Sequence, residues 1–195
     1  MKLMKSILAA FTLALASFFV AAPVAMAQGS VVVVIDEGRI LGDSKAGKDM
    51  LTKLKNIENQ INAELKPTRD SLETERQALA GKLQGKTRDA VVADTALVKQ
   101  IEDFQKKSND FAQKRNTVSQ EYAATEQKAF SEFNAALEPA LLDVIKAKGA
   151  QVVLSKSQAV FSADSVDVSA DVVSKLDSKT AAINVVRQRA PAPQK

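Results

Sequence analysis

Between Ser44 and Lys148 the chain carries an almost continuous helical alternation of apolar and polar positions, broken once, over Gly81 to Asp89. In the first half Leu51, Leu65, Leu72 and Leu79 fall at multiples of seven, with Leu54 and Ile61 three positions along. In the second half Leu97, Phe104, Phe111 and Val118 repeat the spacing, with Ile101 and Tyr122 in the partner positions. Such a seven-residue seam is the pattern of helices that bury a narrow stripe against each other. The break holds Gly81, Gly85, Thr87 and Asp89 and no apolar period, so the two halves are expected to fold back as an antiparallel hairpin with its tip at about 81–92.

One register aligns Leu79 with Leu97, Leu72 with Phe104 and Leu65 with Phe111. Further from the tip that register sets Glu58 opposite Val118, where the seam should degrade, and Pro67 is expected to interrupt and bend the first helix. At about 1.5 Å per residue the paired part would be on the order of 60 Å long. The shifted apolar phase of Phe130, Phe133, Leu137, Leu141 and Val144 predicts docking onto a body.

The flanks supply that body. Val31 to Ile35 is an unbroken β-branched run, as in a strand covered on both faces, ended by Asp36-Glu37-Gly38. Gln151 to Leu154 and Ala159 to Ser162 read as a hairpin across the polar turn Ser155 to Gln158, and Ile183 to Val186 as a possible further strand. Ser169 is placed to cap a short helix through Leu176. The fold class expected is α+β: an association body over 28–43 and 149–189, with a helical arm over 44–148 inserted in it. A sheet this small cannot cover five consecutive apolar residues from one chain, so the body is expected to oligomerise. Val31, Val32, Val33, Val34, Ile35, Val152, Val153 and Leu154 are the residues expected to do it.

The N-terminus reads as an export leader. Lys2 and Lys5 precede an apolar core from Ile7 to Val20, and Ala25-Met26-Ala27 is a small-x-small site for cleavage before Gln28. The chain has no cysteine, which excludes lipid attachment after cleavage and disulfides alike. The mature protein is expected to be soluble. Loss of Lys2 and Lys5 with the leader lowers the formal charge from +4 to +2, and the charges alternate in sign, so nothing calls for nucleic acid. The tail over 190–195, with Pro191 and Pro193, is expected to be extended and disordered.

Candidate chemistry is sparse. Gly42-Asp43-Ser44-Lys45-Ala46-Gly47-Lys48-Asp49 matches a phosphate-binding loop except at its last position, where Asp49 replaces the hydroxyl that should hold magnesium. No alternating strand and helix series follows, so the segment reads as a polar entry loop with Asp43 or Ser44 capping the first long helix. With no histidine and no cysteine the commonest general base and the usual metal ligands are missing, and no cofactor or enzymatic activity is expected. Lys106, Lys107, Lys114 and Arg115 could meet an anionic head group, although Asp103 and Asp110 interleave them as on a solvated face.

A β-branched strand at the mature N-terminus, Ser44-x-x-Gly47-Lys48 at the entry, the helical hairpin, Gln151-Val152-Val153-Leu154 and Asp167-Val168-Ser169-Ala170-Asp171-Val172-Val173 together resemble the Skp (OmpH) family of periplasmic chaperones. The resemblance implies a homotrimer with a β-barrel-like hub. Its three arms would enclose a cavity that holds unfolded outer-membrane proteins without ATP, with contact to lipopolysaccharide as a further implication. Family arms are basic, whereas Thr87 to Lys148 holds nine basic and ten acidic residues here. The extension beyond Leu176 is left without a role. An envelope scaffold or adaptor, and an envelope hydrolase, are the alternative classes.

Overall fold

The computed structural model describes residues 30–190; the leader over 1–27 and the tail beyond Ala190 lie outside the described residues. From Val31 onward the elements are β1 (Val32–Ile35), α1 (Glu37–Asp43), α2 (Lys45–Leu83), α3 (Arg88–Ala93), α4 (Thr95–Lys148), β2 (Val152–Ser155) and α5 (Ser169–Lys179), with 3-10 turns at Lys156–Gln158 and Asp164–Val166. The described residues are mostly helical with one small sheet.

That sheet has two strands, and they are parallel: Val32 pairs with Val152 and Ile35 with Ser155. Parallel partners require a long crossover, and here the whole of α1 to α4 supplies it. The expected hairpin is corrected. After Ser155 the chain enters a 3-10 turn, 159–163 has no regular structure, and Ile183–Val186 is not a strand. The other edge of β1 goes to Asp167 instead, where Val34 forms a bridge and its carbonyl accepts from Val168 N at 3.0 Å.

Asp36-Glu37-Gly38 does not open a loop. Asp36 caps α1 by accepting from Arg39 N at 2.9 Å, and Ser44 ends α1 while capping α2 through Gly47 N at 3.1 Å. Ser169 is the first residue of α5 rather than its cap. Its hydroxyl accepts from Asp36 N at 2.8 Å and donates to Asp167 Oδ1 at 2.6 Å, while Asp167 Oδ1 also takes Ser169 N at 2.9 Å. The carboxylate of Asp167 thus serves the end of α5 that the serine was expected to serve.

One apolar core joins the strands to the helices: Val33, Ile35, Ile40, Met50, Leu54, Phe133, Val144, Val172 and Leu176 are buried together, and Leu137 and Leu141 pack against them. A second cluster, Ile57, Ile61 and Val118 with Leu65 and Tyr122, lies where α2 and α4 run along each other. Val118 is buried in one cluster with Ile57 and Ile61, on either side of Glu58, so apolar packing continues where the sequence register has the seam fail. α2 is continuous through Pro67, and α4 through Pro139. Proline at 67 forfeits one backbone bond, but the site is exposed and water can serve the freed carbonyl. The turn from α2 into α3 uses Gly85 at φ 74°, and α4 ends on Gly149 at φ 62°, where a side chain would be strained.

Candidate functional site

Two surfaces and the junction of α1 with α2 carry what the sequence singled out. At the sheet one chain covers three of the five residues of the run, Val33, Val34 and Ile35. Val31 and Val32 stay exposed, as do Val152 and Leu154, while Val153 is half-buried against the core. Val160 and Phe161 project into solvent at 108% and 85% exposure. Among the described residues the outer edge of β2 has no strand partner, so an apolar strip and an unpaired edge occur side by side.

Along α2 and α4, Leu79 and Leu97 are buried, whereas Leu65, Leu72, Phe104 and Phe111 are half-buried. Leu72, Phe104 and Phe111 line an open cleft of about 440 Å³ bordered by Arg69 and Arg76. Leu65 and Phe111 line another with Arg115. Cross-helix partners run in opposite order: Glu64 takes Lys114 at 3.2 Å, Glu75 takes Lys107 at 3.0 Å, and Lys82 donates to Gln100 at 2.6 Å. Of the four basic residues singled out, Lys107 and Lys114 are therefore engaged by carboxylates, while Lys106 and Arg115 are exposed.

The segment Gly42 to Asp49 is not a loop. It spans the junction of α1 and α2: Ser44 N donates to Ile40 O, Lys45 N to Asp177 Oδ1, Gly47 N to Ser44 Oγ and Lys48 N to Ser44 O. Four of the N–H groups that would cradle a phosphate, those of Ser44, Lys45, Gly47 and Lys48, are committed within the chain. Gly47 is required by proximity, since a Cβ there would lie 1.9 Å from the carbonyl oxygen of Leu41.

Sequence reasoning missed the third surface. Beyond α5 the chain returns along α2 and α4. Ile183 N donates to Asp49 Oδ2 at 2.9 Å, Ile183 O accepts from Lys53 Nζ at 2.8 Å, Gln188 N donates to Thr125 Oγ1 at 2.8 Å, and Ala190 N donates to Glu121 Oε1 at 3.0 Å. Arg187 bridges the two helices, reaching Glu64 Oε2 at 2.9 Å and Glu121 Oε2 at 2.6 Å. Burial acts to raise the pKa of Glu121, but the Ala190 N–H and Arg187 outweigh it and the net direction is down. Glu64 is held below its usual range mainly by Arg187. A signal existed: Glu121 and Thr125 are buried polar residues on the face of α4 that also carries Val118 and Ala129. Such residues need fixed partners.

In the body, the hydrogen bond from Lys156, aided by the two from Ser169, holds the Asp167 carboxyl far below the usual carboxylate range. No described helix is long and apolar enough to cross a membrane.

The comparisons with known proteins agree on one family. The family model for outer membrane proteins of the OmpH-like type matches residues 31–176. A crystal structure from Caulobacter crescentus CB15, of a protein assigned as an outer membrane chaperone (OmpH-like), is 30% identical, covers 83% of this chain and 92% of its own, and superposes with a TM-score of 0.68. No curated protein matches the chain.

Proposed function

The chain belongs to the OmpH-like family of outer membrane proteins, and from that premise we propose that it is an ATP-independent periplasmic holdase. It would bind unfolded outer-membrane β-barrel proteins and keep them from aggregating before membrane insertion. The observation that carries this reading is the line of apolar side chains left half-open along the paired helices, at Leu65, Leu72, Phe104 and Phe111. An unfolded outer-membrane strand alternates apolar and polar residues and aggregates through its edges. Many weak contacts inside a cavity can shield it, because effective concentration replaces individual affinity. Release then needs no fuel, since insertion offers the client a deeper minimum.

In this proposal the arm is an antiparallel coiled coil over 44–148, and the body over 28–43 and 149–189 joins three copies into a barrel-like hub. The free edge of β2 with Val152 and Leu154, and exposed Val31, Val32, Val160 and Phe161, support self-association. Contact with anionic lipid would fall to Lys106 and Arg115, with Lys107 and Lys114 drawn on only if they leave Glu75 and Glu64.

The test replaces residues 66–112 with a short Gly-Ser turn, which keeps Glu64, Lys114 and the body. The shortened chain should retain the trimer by sedimentation and lose its suppression of light scattering by diluted, urea-unfolded porin. If it still protected porin mole for mole, the holding surface would lie on the body and the arm mechanism would be wrong.

A further inference from the structure

The family match ends at residue 176, yet the chain continues beyond α5 into a segment that adopts neither helix nor strand and lies along the base of the paired helices. Over 183–187 its burial alternates: Ile183 is buried, Asn184 exposed, Val185 half-buried, Val186 exposed and Arg187 half-buried. Period two is the signature of an extended chain with one face down. Val185 touches both apolar clusters, so the segment spans the junction between body and arm.

The way it is held matters more than its shape. Asp49, Thr125 and Glu121 accept from main-chain N–H groups, and Lys53 donates to a main-chain carbonyl. None of these four bonds reads a side chain of the segment, so the same helix residues would hold any extended polypeptide without proline at the donor positions. Selectivity rests on the inward positions: two apolar residues, then a cation between Glu64 and Glu121.

We propose that this groove between α2 and α4 is a binding site for extended, unfolded polypeptide of the pattern apolar-x-apolar-x-basic, and that residues 181–190 occupy it in cis as a displaceable stand-in. The proposal rests on the client-holding reading and adds a regulation to it. A tethered occupant acts at an effective concentration of about a millimolar, so isolated weak segments are refused while a client offering many segments displaces it. Amphipathic strands of barrel proteins carry this alternation repeatedly.

The experiment uses the full mature chain and, as probe, a fluorescein-labelled peptide of residues 180–190 followed by anisotropy. Arg187→Glu sets a third carboxylate against Glu64 and Glu121 and should free the groove. Peptide affinity should rise on the order of tenfold over wild type, and a peptide carrying the same Arg→Glu change should not bind. Val185→Asp should act in the same direction, and Val186→Ser, on the outer face, should match wild type. Circular dichroism verifies that each variant is folded. Unfolded porin should compete the peptide off Arg187→Glu.

Equal peptide affinity for wild type and both folded freeing variants would overturn the cis occupancy. Peptide binding that porin cannot compete would overturn the client site. Neither result touches suppression of aggregation by the wild-type chain, and loss of that suppression would overturn the holdase reading whatever the peptide does.

Discussion

Replacing Gly47 with alanine separates the architecture of the α1–α2 junction from the nucleotide-binding motif it mimics. In an ordinary helix interior the change would stabilise by about 1 kcal/mol, because alanine has the better helix propensity. Here the new Cβ would lie 1.9 Å from Leu41 O, 2.8 Å from Leu41 C and 2.9 Å from Ser44 Oγ. The nearest obstacles are backbone atoms, which cannot rotate away, so α1 must retreat by more than about 1 Å to reach the shortest tolerable contact. That retreat disturbs Ile40 and Ser44, both fully buried, and Met50 beside them. Overpacking of this kind costs about 1–3 kcal/mol and more when backbone must move, so the net loss should be at least about 2 kcal/mol despite the propensity gain. For a chain of this length the melting temperature should fall by about 4 °C or more. Urea and thermal unfolding by circular dichroism would measure it at one fixed protein concentration, because the stability of an assembly depends on concentration. A Gly47→Ala protein as stable as wild type would refute the packing argument.

Lys48→Ala, by contrast, should leave stability and client protection unchanged, and no nucleotide should bind; saturable ATP binding by calorimetry that the variant abolishes would count against the committed-amide geometry. Asp167→Ala removes the acceptor for Lys156 and for both donors of Ser169, and should cost about 2–4 kcal/mol in urea unfolding; a change within error would mean the network contributes nothing. Phe161→Asp, at a residue exposed in the single chain, should weaken self-association in sedimentation without altering the circular dichroism spectrum, whereas Val33→Asp buries an unpaired charge and should unfold the body. Because the carboxyls of Glu64, Glu121 and Asp49 are all depressed, their contribution to seating residues 181–190 is full at neutral pH and lost as pH falls below the usual 4.5 and 3.8. Amide exchange at Gln188 and Ala190 should therefore lose protection below about pH 4; undiminished protection in acid would show that the carboxylates do not hold the segment.

Local periodicity was enough to place the paired helices, the covered strand and the docking stretch around Phe133, because each depends on neighbours within a turn or two. The cap was legible for the same reason as one of two neighbours, Asp43 or Ser44, and it is Ser44 whose acceptor serves an amide three residues on. Where a polar group would find its partner was not legible. Ala159 to Ser162 has strand-like residues, yet the edge beside β1 went to Asp167, whose carboxylate also anchors Lys156 and α5. Ser169 has the chemistry of a cap and spends it on Asp36. The seating of residues 181–190 depends on Glu64, Glu121 and Arg187, brought together from positions 66 and 123 residues away from the arginine. No window of sequence contains that triad. The sequence by itself determined the two long helices, α5 and the strands β1 and β2, though not α1 or the irregular course of 159–162 and 183–186, since backbone sterics and apolar period act over a few residues. Only the tertiary structure decided which distant side chain would answer each buried charge and backbone amide, because burial forces every such group to be satisfied and leaves the choice of partner to whatever the packed helices bring within reach.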